Sequence, residues 1–272
     1  MEHKLRTDPI PDTFFDRSSG TVITWLGMAG VLLNVQGVIL LVDPLISLVE
    51  ENGQARSEAG YALRVPLPIQ AGQIPRADLV MVTHADEDHV GRLTLQILAS
   101  QTGCRFLVPP PVAQILAELG ISSERVLIAR DDERIAVGPA EITVTPALHD
   151  WQEVNPWQRG DCCGFLIKSP DGVIWHPGDT RLIDELLEVR GVDVLFFDVA
   201  AVDSHLGPEG SARLARTCGA KVMVAYHYGT FDLPPGSFGG CDPKDALPYV
   251  AGLPGRFLQL NPGELLRLPL SD

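Results

Sequence analysis

Between Asp78 and His89 the chain reads Asp-Leu-Val-Met-Val-Thr-His-Ala-Asp-Glu-Asp-His. The apolar run Leu79–Val82 reads as a buried strand. Four residues able to bind a metal follow within six positions: His84, Asp86, Asp88 and His89. Two imidazoles and two carboxylates crowded into one turn desolvate and repel each other unless a cation sits among them. A polar turn between a strand and a helix could carry the same residues, so the rest of the chain has to decide.

The same residue types recur where apolar runs end. Asp43 follows Val38–Val42, His149 follows Ile142–Thr145, Asp179 follows Val173–Trp175, and His227 follows Lys221–Ala225. Ligands at the carboxyl ends of strands can converge on one rim. Each has a plainer alternative. Asp43 before Pro44 can be a turn residue, Asp179 can cap a helix, and His149 and His227 can be hydrogen-bonded core histidines. His176 reads as packing, Trp151 and Trp157 as core or pocket wall, and His3 as tail. His205 lies between an apolar run, Val194–Val199, and a helix beginning at Pro208. That strand and Lys221–Ala225 are joined by one helix and are therefore expected to be parallel, which puts His205 on the side of His227. The expected role of His205 is contact with substrate or an oxyanion; the alternative is an exposed loop histidine.

Positioning these residues requires many strands. Thr21–Trp25, Val31–Val35 and Val38–Val42 read as a meander with tight turns. Glu50–Gln73, rich in glycine, proline and polar groups, reads as a long loop or flap. Helices are expected at Val90–Gln101, Pro111–Leu119, Arg181–Val189 and Pro208–Thr217. Further strands are expected at Arg105–Val108, Val126–Ala129, Glu133–Val137, Phe165–Ser169, Phe257–Gln259 and Leu265–Leu268. The order suggests two packed sheets with outer helices, a four-layer αββα sandwich of the α/β class. Residues 1–19 read as an N-terminal extension and residues 20–272 as a single domain.

At 272 residues, 45% of them hydrophobic, the chain can bury a sizeable core. The net charge of −14 and scattered Lys and Arg argue against a nucleic-acid partner. No apolar run approaches membrane-spanning length, so no membrane partner is expected. The odd set Cys104, Cys162, Cys163, Cys218 and Cys241 fits small core or site-lining residues in a reducing, cytoplasmic setting. A thiolate role for Cys162 or Cys163 is the lesser reading.

Taken in order, Asp43, then His84-x-Asp86-x-Asp88-His89, then His149, Asp179 and His227 resemble the metallo-β-lactamase-fold hydrolases, over roughly residues 20 to 270. The stretches WLGMAGVLL, LVDPL, HPGDT and YHYGTF look most like the L-ascorbate-6-phosphate lactonase-like branch. The family usually has His where this chain has Asp86; diiron flavoproteins of the same fold carry an acidic residue there. The resemblance implies two divalent ions, zinc, manganese or iron. His84, Asp86 and His149 would hold one, Asp88, His89 and His227 the other, and Asp179 would bridge. Asp43 would orient a ligand histidine through its other ring nitrogen. Asp88 and His205 are the residues expected to act on substrate. The implied activity is hydrolysis of a small ester, lactone or phosphoester by a metal-bridging hydroxide. The alternatives are a diiron redox or oxygen-reactive protein and a non-catalytic metal-binding protein. A small molecule is the expected partner, with self-association into a homo-oligomer left open.

Overall fold

The computed structural model describes residues 5–270; His3 lies outside them. Thr21–Gly27 (β1), Gly30–Val35 (β2) and Val38–Val42 (β3) form the expected antiparallel meander. The β2–β3 turn places Gln36 and Gly37 at φ 51° and 102°, the paired positive φ of a tight hairpin turn.

Leu48–Glu51 (β4) and Gln54–Ser57 (β5) pair as a separate two-stranded ribbon. Then come Leu79–Met81 (β6), the helix Arg92–Thr102 (α1), Arg105–Val108 (β7), the helix Pro110–Glu118 (α2) and Val126–Ile128 (β8). Arg134–Val137 (β9), Ala140–Pro146 (β10), Cys163–Ser169 (β11), Gly172–His176 (β12) and Val194–Asp198 (β13) lead to the helix Gly207–Cys218 (α3) and Val222–Tyr226 (β14). A short helix, Leu247–Val250 (α4), precedes Arg256–Leu258 (β15) and Leu265–Leu268 (β16).

Two seven-stranded sheets result, ordered β16-β1-β2-β3-β6-β7-β8 and β15-β14-β13-β12-β11-β10-β9. Alternation along the strands creates the layers. In β3, Leu40 and Val42 join the core shared with the second sheet, whereas Ile39 and Leu41 join a separate core with Leu95 and Leu98 of α1 and Val112 and Leu116 of α2. In β6 and β7, Leu79, Met81 and Leu107 face inward, and Val80 and Phe106 face the helices. Helix α3 packs on the second sheet through Ala212, Leu214 and Ala215. The αββα sandwich is therefore the architecture.

Three local expectations change. Glu50–Gln73 is not all loop: the β4–β5 ribbon turns at Asn52-Gly53, with φ 53° and 75°. Arg181–Val189 contributes only a 3-10 turn over Asp184–Glu188. Backbone hydrogen bonds explain why, since Arg181 N donates to Leu148 O and Leu148 N to Thr180 Oγ1, holding the segment against β10's exit loop. The helix expected from Val90 starts at Arg92, because a tight turn in which His89 N and Val90 N both donate to Asp86 O precedes it. Residues 5–19 pack on the sandwich: Asp8 N donates to Pro262 O, and Phe14 and Phe15 are buried.

Strands β3, β6, β12, β13 and β14 deliver the chemistry. β3 and β6 are parallel, as are β12, β13 and β14. Their carboxyl ends, with that of β10, open on one rim.

Candidate metal centre

Every sequence-predicted site residue sits on that rim. Asp43 follows β3, His84–His89 follow β6, His149 follows β10, Asp179 follows β12 and His227 follows β14. His84, Asp88, His89, His149, Asp179 and His227 are buried, and Asp86 is partly exposed. Their ligand atoms form two clusters, Asp88–His89–Asp179–His227 and His84–Asp86–His149, and His205 joins two more, His149–Asp179–His205 and Asp198–His205–His227, each with all atoms within 4.8 Å of one another.

Asp43 and His227 both take left-handed backbone, at φ 44° and 65°. For residues with a Cβ this costs about 1–3 kcal/mol each and persists only where the surroundings enforce it. Gly178, at φ +69°, has no such cost, and a Cβ there would meet Cys163 O at 2.6 Å. It lets Asp179 turn into the rim.

The outer nitrogens of three imidazoles are fixed by groups that can only accept. His89 Nδ1 donates to Asp43 Oδ2 at 2.8 Å, and His149 Nδ1 to Ser204 O at 3.0 Å. Thr83 Oγ1 gives its one proton to Asp43 Oδ2 and so accepts from His84 Nδ1 at 2.9 Å. Each ring therefore turns a bare Nε2 lone pair inward, and carboxylates meet it there. His89 Nε2 lies 3.1 Å from Asp179 Oδ2, His149 Nε2 3.1 Å from Asp86 Oδ2, and His84 Nε2 3.4 Å from Asp86 Oδ2. Lone pair facing carboxylate is repulsive unless a proton or a metal ion lies between them. Buried atoms without a hydrogen-bond partner point the same way: His84 Nε2, His227 Nε2 and Asp179 Oδ1. The donor set fits divalent metal ions.

Charge is unevenly distributed over these groups. Burial drives His84 down to about 4, with neighbouring His89 adding to it, and drives His227 well below the usual imidazole range. Burial opposes ionisation of His89 too, yet Asp179, Asp88 and Asp43 push it well above its ordinary value. Burial raises Asp88 to about 6, with Asp179 and Asp86 adding to the rise and His89 opposing it. Burial works against Asp86 and Asp43, but histidines hold both carboxyls below their ordinary range.

Asp86 stands where the resemblance leads one to expect His, and its Oδ2 faces His84 and His149 rather than local backbone. Trp151 Nε1 donates to the same oxygen at 2.9 Å. Trp157 packs edge-on to His84, its ring centroid 5.6 Å away.

His205 reaches the site, as expected for parallel β13 and β14, and its ring lies 5.1 Å from both His149 and His227. Its Nε2 is 3.4 Å from Asp179 Oδ2. Burial lowers its basicity, but Asp179 and Asp198 raise it to about 9. Asp198 is the residue that sequence reading missed. Fully buried at the end of β13, its Oδ2 accepts from His205 Nδ1 at 3.0 Å and its Oδ1 from Ala200 N at 2.9 Å. The signal was a charge closing the apolar run Val-Leu-Phe-Phe, the pattern that marks Asp43.

His176 is structural: Nε2 donates to Ala29 O and Nδ1 accepts from Gly178 N. Cys162 and Cys163 are buried, and burial pushes both thiols up, so neither is a thiolate at neutral pH. A cleft of about 710 Å³ opens above the rim, lined by Asp86, Asp88, Asp179, His149 and His205 together with Tyr61, Trp151 and Phe238.

Two sheets between helices, with a His/Asp cluster at one rim, define a protein of the metallo-β-lactamase fold. Residues 39–228 match the beta-lactamase superfamily domain, and the chain belongs to that family. Among its relatives, a UPF0173 metal-dependent hydrolase of Caldivirga maquilingensis is 26% identical over 254 residues, covering 91% of this chain and 98% of that one. The fold is similar to that of Igni18, a metallo hydrolase from Ignicoccus hospitalis, with TM-score 0.67 and 21% identity over 93% of this chain and all of that one. It is also similar to an isothiocyanate hydrolase from Delia radicum gut bacteria, with TM-score 0.68 and 18% identity over 90% of this chain and 98% of that one.

Proposed function

We propose that the chain is a metal-dependent hydrolase of a small ester, lactone or phosphoester, with the rim cluster as its active site. The observation that carries this reading is the inward convergence of imidazole lone pairs and carboxylates at the floor of an open cleft. His84, Asp86 and His149 would hold one divalent ion, Asp88, His89 and His227 a second, and Asp179 would touch both. Such ions, when bound, lower the pKa of water and polarise the scissile group.

The chain's own residues do the rest. Asp43, Thr83 and Ser204 O fix the rings so that Nε2 faces inward. Asp88 and His205 line the cleft, where they can meet substrate. Asp198 holds the proton of His205 at Nδ1 and so leaves Nε2 toward the reacting group. Tyr61, Trp151 and Phe238 wall the cleft. Five free cysteines support a reducing, cytoplasmic setting, and among the described residues no helix is long and apolar enough to cross a membrane. The acidic charge supports a small-molecule substrate over nucleic acid.

The test is turnover of an ester, lactone and phosphoester panel by protein stripped of metal and then reloaded with zinc, manganese or iron. Metal-dependent hydrolysis that Asp179→Ala abolishes is expected. No turnover with any ion would remove the hydrolase reading. Asp86, facing two histidines, favours one second reading, a redox-active diiron centre. Oxygen consumption by the iron-loaded protein with a chemical reductant would reveal it.

A further inference from the structure

The walls and the floor of the cleft differ in kind. Tyr61 comes from the loop after β5; it stacks on Phe231 at 5.2 Å and meets Phe238 edge-on at 6.0 Å. Trp151 and Val202 face the same space. Trp151 is 55% exposed, an unusual position for so large an apolar ring. Below them the lining carries four carboxylates: Asp86, Glu87, Asp88 and Asp179. Among the described residues, no lysine or arginine lines the cleft. The arginines on its flanking loops are engaged elsewhere. Arg64 is paired with Asp232 at 3.1 Å and donates to Leu233 O, and Arg181 is paired with Asp150 and donates to Asp203 O.

Resting on the hydrolase reading, we propose that this cleft selects uncharged esters or lactones with an aromatic or branched apolar group, and rejects phosphoesters and substrates bearing a carboxylate. Two divalent ions would bring four positive charges. Asp86, Asp88 and Asp179 with buried Asp43 and Asp198 and rim Glu87 supply six negative ones, so a protonated His205 still leaves the site short of positive charge. A site that binds phosphate normally adds Arg, Lys or a helix N-terminus to its metals. Here the surroundings supply like charge instead, which rejects an anion even where its size fits. Aromatic walls hold an apolar group by area and by edge contacts.

The reaction balances without a further reactant. The acyl C–O bond breaks, a bond from water oxygen to the acyl carbon forms, one water proton passes to the departing oxygen, and the acid loses its own proton to solvent. The product is then a carboxylate in an acidic cleft, and the charge that rejects anionic substrates also speeds its departure.

The experiment compares p-nitrophenyl butyrate with p-nitrophenyl hemisuccinate, which differ by one carboxylate, and with bis(p-nitrophenyl) phosphate, all on metal-loaded protein. Binding of butyranilide and succinanilate is measured in parallel by calorimetry, independent of turnover. Expected is a kcat/KM for the butyrate at least about tenfold above the hemisuccinate, and the same order in binding of the anilides. Glu87→Lys should narrow that ratio about fivefold, the scale of one charge pair in water. Phe238→Ala should raise KM for the aryl ester more than for γ-butyrolactone. Higher kcat/KM for the phosphodiester, or equal binding of the two anilides, would overturn the proposal and leave hydrolysis standing. Preference for butyranilide without turnover of any ester would remove the hydrolase reading and leave the charge selection standing.

Discussion

Nδ1 of His89 lies 2.8 Å from Oδ2 of Asp43, and both residues are fully buried. The same carboxylate accepts from Thr83 N and Thr83 Oγ1, each at 2.7 Å. One buried charge therefore fixes two imidazoles, His89 directly and His84 through Thr83.

Asp43→Asn tests that arrangement. The amide can still accept from Thr83 N, but its NH2 then faces the His89 Nδ1–H, which favours the other tautomer and removes the inward lone pair. Metal affinity should fall about 10–100-fold, with circular dichroism of the folded protein retained. Undiminished metal content would show that Asp43 serves folding alone.

Asp198 and His205 form a second pair, in which Asp198 positions the ring that faces the cleft. His205→Ala should lower kcat about 100-fold, the scale of one lost electrostatic contact to a reacting oxygen. Asp198→Asn should shift the pH profile of kcat while metal content stays at the wild-type level. Parallel loss of metal and activity in Asp198→Asn would instead tie Asp198 to His227, whose Nδ1 is 3.9 Å from Asp198 Oδ1.

The contrast between Asp43 and Asp198 shows where sequence was sufficient. Both close apolar strands, yet only Asp43 is followed by a proline that ends its strand, so Asp198 was absorbed into the strand Val194–Val199. The grouping of candidate residues on one rim was legible because they follow strands that share one direction. The β4–β5 ribbon was not: Leu48–Glu51 and Gln54–Ser57 are mostly polar and bury little, so no alternation marked them, although Asn52-Gly53 is a hairpin turn pair. Arg181–Val189 has helical spacing, but its first residues are tied by hydrogen bonds to Leu148. Such tertiary pairing overrides a local pattern.

Asp86→His probes metal identity. A carboxylate at this position supplies a harder oxygen donor, relatively favourable to manganese or iron, whereas a third imidazole favours zinc. The variant should shift preference toward zinc when stripped protein is reconstituted with each ion in turn. Equal zinc preference in both proteins would count against a harder site, and one ion bound by wild type with two in the variant would show that Asp86 is no ligand.

Glu58 ties the β4–β5 ribbon to α1. Its Oε2 accepts from Leu93 N at 2.6 Å and from Thr94 N at 3.0 Å. Burial nevertheless raises its pKa above the ordinary 4.5, against the hydrogen bonds from Thr94, Leu93 and Ser47. A raised carboxyl contributes stability below 4.5 and loses it as pH rises through the folded value. Wild-type Tm should therefore fall relative to Glu58→Gln as pH increases from about 4.5 toward neutrality. A difference moving the other way would mean that the helix N-terminus outweighs burial.

The central claim is that two cations, rather than protons, reconcile the inward-facing lone pairs with the carboxylates. Anomalous scattering at the zinc, manganese and iron edges, from crystals of protein purified without added metal, tests it most directly. The account predicts two peaks, one among His84, Asp86 and His149 and one among Asp88, His89 and His227, both in contact with Asp179. A rim with no peak at any of these edges, and with His89 hydrogen-bonded to Asp179 through a proton, would contradict it.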